Sequence, residues 1–217
     1  EKRYYDLTEI GLGRVQISIF LNLVVVALCA AAAYMYAMDM IPENRMRLMV
    51  FSQILAMMVS ALLGCYVLMD GILDLFTGKF SLNTMLFLTL AACSADAVFC
   101  LKELRIPFCA AFSLQCLMCL WSEYQKRSTE LCQMDTLRKA TRLSRITKAE
   151  GCYEGRPGFC MTEGQPEDFM DTYQTVSGPQ KALDRFTLAA LIASALVAAA
   201  AFAKGGLEAG LHTWSAA

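Results

Sequence analysis

"VQISIFLNLVVVALCAAAAYMYAM" fills residues 15–38 without a single Asp, Glu, Lys or Arg. As a helix rising 1.5 Å per residue it reaches about 36 Å, enough to cross a hydrocarbon core about 30 Å thick. Its apolar character is continuous rather than alternating, which reads as a membrane helix and not as a barrel strand. The run starts late and is too long for the apolar centre of a cleavable signal peptide. Four more blocks follow, at 48–76, 80–101, 106–121 and 183–203 ("LDRFTLAALIASALVAAAAFA"). The block at 106–121 is the shortest and reaches span length only if "WSEY" extends it.

These blocks predict an all-α, polytopic helical membrane protein with about five transmembrane helices. Residues 1–121 would hold helices one to four as two hairpins. Residues 122–182 would form a short cytoplasmic segment, partly helical and then loop-rich. Residues 183–217 would supply the fifth helix and an external tail. The chain starts at Glu1 and stops at "HTWSAA" as apolar character returns, the pattern expected of a piece of a longer protein.

Composition agrees. Of the 217 residues 57% are hydrophobic and 18% charged, with a mean hydropathy of +0.44. Both values lie on the membrane side of what soluble domains carry. A formal net charge of −1 gives nucleic acid no electrostatic grip, so the expected partners are the lipid bilayer and a cytoplasmic protein. Five spans place fourteen of the nineteen Lys and Arg on the side shared by the N-terminus, the turn at 77–79 and residues 122–182. The excess of cations predicts that this side is cytoplasmic.

Punctuation between the blocks fits hairpins. "DMIPENRMR" makes an external turn around Pro42, and "FTGKF" offers Gly78 for a tight internal one. "KELRIP" ends the third helix at Lys102, and the next restarts after Pro107. Ser177 or Gly178 would cap the last helix with Pro179 near its first position, and "KGG" at 204–206 would stop it. "WSEYQKRSTELCQMDTLRKATRL" continues the fourth helix into water, and Arg138, Arg142 and Arg145 would share one of its faces. That face is read as solvated in preference to a headgroup-binding stripe. From Gly151 to Gly178 the chain is rich in Gly, Pro and acids, expected as loop with room for a short strand pair.

Chemistry-bearing residues are few. Cys93, Asp96 and Cys100 fall at i, i+3 and i+7 on the third helix, and Cys116 and Cys119 share a face of the fourth. Thiolates with a carboxylate suit a soft or borderline cation such as zinc or copper(I), with no resident cofactor required. The competing and favoured reading is structural. Cysteine packs helices closely, and Asp96, about 9 Å from the outer end of its span, can reach Lys102, Arg105 or interfacial water. Asp70 and Asp74 would pair with Lys79 or Arg14 near the inner end. Most of the ten cysteines are expected as free thiols, because their spacing matches no secreted scaffold. Cys152 and Cys160 in "CYEGRPGFC" are read as two loop thiols. His212 is the sole histidine, and no phosphate-binding loop, dinucleotide fingerprint or zincin motif occurs, so no catalytic residue is assigned.

The order of elements resembles the membrane region of heavy-metal-transporting P-type ATPases. Gly78, Lys79, Phe80 and Asn83 match that family's glycine-basic-aromatic turn with a following Asn. Residues 121–143 match the charged helix that leaves the membrane before the actuator domain. Gln180, Asp184 and Arg185 match the entry to the helix after it. The resemblance implies a module of a divergent cation pump, with zinc or copper(I) as its transported ion. The T-G-E, Cys-Pro-Cys and D-K-T-G-T motifs are absent, and the nearest local sequence to the first is "MTEGQ" at 161–165. The chain as it stands is therefore expected to lack ATP hydrolysis. The rival expectation, from a different class, is a non-transporting scaffold that docks a cytoplasmic partner through residues 122–182.

Overall fold

The computed structural model describes residues 5, 8, 11–38, 40, 42, 45–103, 105, 107, 109–139, 144–153, 156–163 and 178–216. In chain order these form α1 (Leu12–Ala37), α2 (Met46–Leu63), α3 (Cys65–Phe76), α4 (Leu82–Glu103), α5 (Cys109–Lys139), β1 (Ser144–Tyr153), β2 (Arg156–Glu163) and α6 (Gly178–Ala216). The fold is a helical bundle with one appended hairpin. Among the described residues, four helices are long and apolar enough to cross a membrane: Leu12–Ala37, Met46–Leu63, Leu82–Lys102 and Arg185–Gly206. The chain is a helical membrane protein.

The fourth expected span, 106–121, has a different form. Only the first half of the 31-residue α5 is apolar, and that half is the centre of the bundle, packed on α1, α2 and α4. Cys109, Phe112, Ser113, Cys116, Cys119 and Leu120 of α5 are all buried. Cys109 opens the helix beside Met57 of α2, with 3.9 Å between the two sulfurs, and not at the Lys102 end of α4. The helical part of this pass is therefore short.

The block 48–76 is not one rod. It bends at Gly64 between α2 and α3, where a side chain would collide with Cys116 Sγ, 2.6 Å from the position of a Cβ. After the bend α3 buries Val67, Leu68 and Gly71 against the start of α4 and exposes Met69, Asp70, Leu73 and Phe76. Such a two-sided helix suits a membrane boundary. The return to α4 runs through Gly78 at φ 72°, a left-handed position that favours glycine. α4 in turn carries the peripheral α6, tied at its start by the Thr187 hydroxyl, which donates to Phe80 O at 2.8 Å.

Lipid-facing surface is plain on the outer helices. Ile17, Phe20 and Leu28 of α1, Leu48, Leu55 and Leu62 of α2, and Phe186, Leu196 and Phe202 of α6 are exposed. At the opposite pole, small residues such as Cys29, Ala32, Ala92, Cys93 and Ala97 fill the interior. With lipid outside, apolar area gives no preference for the interior, so close approach between helices supplies the cohesion.

Three expectations need correction. Arg145 does not extend a helical stripe with Arg138, because α5 ends at Lys139 and Arg145 lies on β1 opposite Thr162; Arg142 lies outside the described residues. The strand pair allowed for within the loop from Gly151 is present, but as an antiparallel hairpin that starts earlier, at Ser144, with Ile146 opposite Met161 and an irregularity between Ala149 and Tyr153. Residues 164–177, expected as loop, lie outside the described residues. Finally, "KGG" interrupts α6 without ending it. Gly206 is non-helical (φ 77°, ψ −169°), and helix resumes to Ala216. There Gly210 lies so close to Phe202 and Ala198 that a Cβ would sit 2.9 Å from Phe202 Cβ. The last turns fold back along α6 where an external tail was expected.

Candidate functional site

Cys93, Asp96 and Cys100 lie on one face of α4, and all three are buried, Asp96 to 1% exposure. α4 ends at Glu103, and the Arg105 N–H donates to Cys100 O at 3.2 Å, which turns the chain back over the helix end. The turn brings the Arg105 guanidinium 3.6 Å from Asp96 Oδ1, with the arginine side chain 31% exposed. Cys100 Sγ donates to Asp96 Oδ2 at 3.6 Å. A carboxylate this deep needs a counter-charge, and the arginine five residues beyond the i+4 thiol supplies it while its own stem reaches water. Of the partners expected for Asp96, Arg105 is one that the structure supplies.

Cys116 and Cys119 are placed elsewhere. Cys116 Sγ points at Ser60 O, 3.4 Å away across the α2 contact, and Cys119 Sγ at Leu82 O, 3.9 Å away at the start of α4. Each thiol is a small donor turned to a neighbouring helix's carbonyl. Cys109, beside Met57, is the α5 thiol within electrostatic reach of Cys93, Cys100 and Asp96. Among the described residues no three His, Cys, Asp or Glu side chains gather into a group that could hold a metal ion. The five candidates thus fall into one α4 cluster and two separate helix contacts.

A second buried polar cluster escaped the sequence reading. Asn22 of α1 donates through Nδ2 to Ser113 O at 3.2 Å and accepts from the Ser60 hydroxyl at Oδ1 at 2.7 Å. Ser60 and Ser113 hydroxyls lie 3.0 Å apart, and Ser113 also donates to Cys109 O at 3.0 Å. One residue from each of α1, α2 and α5 closes this cluster. Its signal was available: Asn22, Ser60 and Ser113 are lone polar residues inside apolar runs, and such residues glue membrane helices together.

At the α3–α4 corner Asp74 takes a hydroxyl partner where Lys79 or Arg14 was expected. The Ser81 hydroxyl donates to Asp74 Oδ2 at 2.6 Å, and Ser81 and Thr84 hydroxyls lie 3.3 Å apart. Asp70 is exposed and faces Glu123, Lys126 and Arg127 of α5. Here α5 leaves the bundle. Trp121 and Tyr124 rings lie 5.8 Å apart, Gln16 Nε2 donates to Tyr124 OH at 3.2 Å, and the Arg127 guanidinium sits 5.2 Å over the Tyr66 ring. Paired aromatic rings with an arginine are what a membrane boundary collects.

Beyond this boundary α5 carries its charges in internal pairs: Arg127 Nε to Glu123 at 2.8 Å and Lys139 to Asp135 at 2.6 Å. It hands on to the hairpin, where Ile146, Phe159 and Met161 are 67%, 77% and 71% exposed. Ile146 and Met161 are direct cross-strand neighbours, and Phe159 is two residues from Met161, so the three share one face. Cys160 is disulfide-bonded, against the expectation of a free loop thiol, whereas Cys29, Cys65, Cys93, Cys100, Cys109, Cys116, Cys119 and Cys132 are free. No protein-family model, curated protein or solved structure matches the chain.

Proposed function

We propose that this chain is a non-transporting membrane scaffold whose segment 122–182 docks a protein partner on the cytoplasmic side. The observation that carries the reading is the apolar face formed by Ile146, Phe159 and Met161 at the end of a charged helix. A two-stranded hairpin is marginal alone, and three large apolar side chains turned to water are stabilised by a covering surface. The two open strand edges give the partner a way to add a strand. The cation excess on this side of the spans supports a cytoplasmic setting. The disulfide at Cys160 pulls the other way, toward an oxidising compartment. The cation excess outweighs it, because a bridge can open to thiols in a reducing compartment while the charges are fixed by sequence.

The test is a photo-crosslinking residue at Phe159 in native membranes, with Phe20 on the lipid face as control. One discrete protein adduct from Phe159, lost when Ile146 and Met161 are changed to Asp, supports docking. Crosslinks to lipid alone, or to a second copy of this chain alone, overturn it.

A second reading, a module of a divergent cation pump moving zinc or copper(I), is favoured by the buried Cys93–Asp96–Cys100 face. It requires the purified protein to bind one of these ions and Cys93→Ala, Asp96→Ala or Cys119→Ala to weaken the binding.

A further inference from the structure

The first turn of α2 and the last turn of α4 meet at the pole of the bundle opposite the Trp121–Tyr124 boundary. Between them lies a cavity of about 360 Å³ lined by Arg47, Val50, Phe51, Leu101 and Lys102. Its lining is divided in kind. Arg47 and Lys102 are exposed cations, Val50 is buried in the floor, and Phe51 and Leu101 carry the apolar surface out toward the lipid face. Among the described residues no acidic side chain lines it. The first turn of α2 also lacks an acidic residue and a side-chain cap, so its free N–H groups and the positive end of its dipole add to the same field.

Depth identifies what this lining can hold. The apolar stretches of the two helices begin at Met46 and end at Lys102, so the cavity lies where hydrocarbon gives way to headgroups. A small soluble anion would use the two cations and leave the apolar wall without purpose. A zwitterionic lipid would bring a compensating cation into a field already positive. We propose that the cavity binds an anionic phospholipid. Its phosphate is held by Arg47 and Lys102, and the upper part of one acyl chain lies against Val50, Phe51 and Leu101. Arginine presents a fork to two phosphate oxygens and lysine a point charge, which together fix the headgroup.

Native mass spectrometry of the detergent-purified chain tests this, with titrations of phosphatidylglycerol, phosphatidylcholine of the same acyl chains, and inorganic phosphate. Phosphatidylglycerol is expected to bind about tenfold more tightly than phosphatidylcholine, from the two interfacial charges. Arg47→Gln and Lys102→Gln should each weaken it about fivefold, and the pair about thirtyfold. Lys102→Arg, which keeps the charge, and Lys79→Gln at the other pole should leave it unchanged. Both target side chains are exposed, and helicity measured by circular dichroism checks that the variants fold. Equal binding of the two lipids, or undiminished phosphatidylglycerol binding in the double variant, overturns the proposal. Displacement by inorganic phosphate also overturns it, since the site would then take a free anion.

Discussion

At Gly71 a hydrogen stands where any other residue would place a methyl group. A Cβ there would press into the Asn83 carbonyl, 2.6 Å from its carbon. Both sides of that contact are backbone, so neither can swing aside. Gly71→Ala is expected to destabilise the protein by about 1–3 kcal/mol through overpacking, read as a lowered melting temperature in detergent. Gly13→Ala, with open space around it, is the control and should change nothing. Asp96 and Arg105 pose a different residue-scale problem, because the carboxylate is fully buried and the arginine side chain is 31% exposed. Arg105→Gln leaves a buried carboxylate without its counter-charge and should cost about 3 kcal/mol. Asp96→Asn leaves an arginine that can turn to solvent, so its cost should be smaller, and the double variant should recover part of the loss. A double-mutant cycle on chemical unfolding measures both. Equal costs for the two single changes would show that the pair is held by packing and not by charge.

Between elements, the polar contact of α1, α2 and α5 decides how the helices lock. Asn22 bonds to both other helices, and the Ser60 hydroxyl likewise lies between α1 and α5. Asn22→Leu removes both bonds and leaves Ser60 and Ser113 with each other, at an expected cost of about 1 kcal/mol. Ser60→Ala removes the hydroxyl that faces Asn22 and Ser113 but keeps the Asn22 bond to Ser113 O, and should cost less; thermal unfolding of both variants gives the order. The way these helices were legible in sequence, and the ways they were not, have physical causes. α1, α4 and α6 were readable because length and apolar content alone mark a span. The bend at Gly64 was not, since glycine is common in membrane helices and its need arises from Cys116 on a helix fifty residues later. Cys116 and Cys119 looked like a ligand pair because helical spacing aligns them, yet spacing on one helix says nothing about which carbonyl faces each thiol. The Asp96–Arg105 pair was foreseen as one of several partners because both lie at one helix end, where few other groups can reach. The fold-back after Gly206 was missed because two glycines read as a stop, while the closure depends on Gly210 meeting Phe202.

For the whole molecule the open question is which way the bundle sits, and the answer carries the docking surface with it. α1 and α5 are joined at one pole by Gln16 with Tyr124 and by Arg127 Nη1 donating to Gly11 O at 3.5 Å. The start of α1 and the outgoing half of α5 therefore share a side, whatever that side is. Cys132 stands on this half of α5 as an exposed free thiol. With the arm in the cytoplasm, a membrane-impermeant maleimide added to intact cells should leave Cys132 unlabelled, and label it once the membrane is opened. Cys132→Ser should remove that signal and Cys65→Ser, at the other exposed thiol, should not. Labelling from outside would reverse the bundle, and the disulfide at Cys160 would then stand in the oxidising compartment where such bridges persist. The charge distribution would in that case have failed against its usual direction, and the hairpin's partner would have to be sought outside the cell. The lipid cavity at Arg47 and Lys102 would move to the inner leaflet, where anionic lipids concentrate. The two halves of the molecule are thus linked, and one labelling experiment fixes the setting of both.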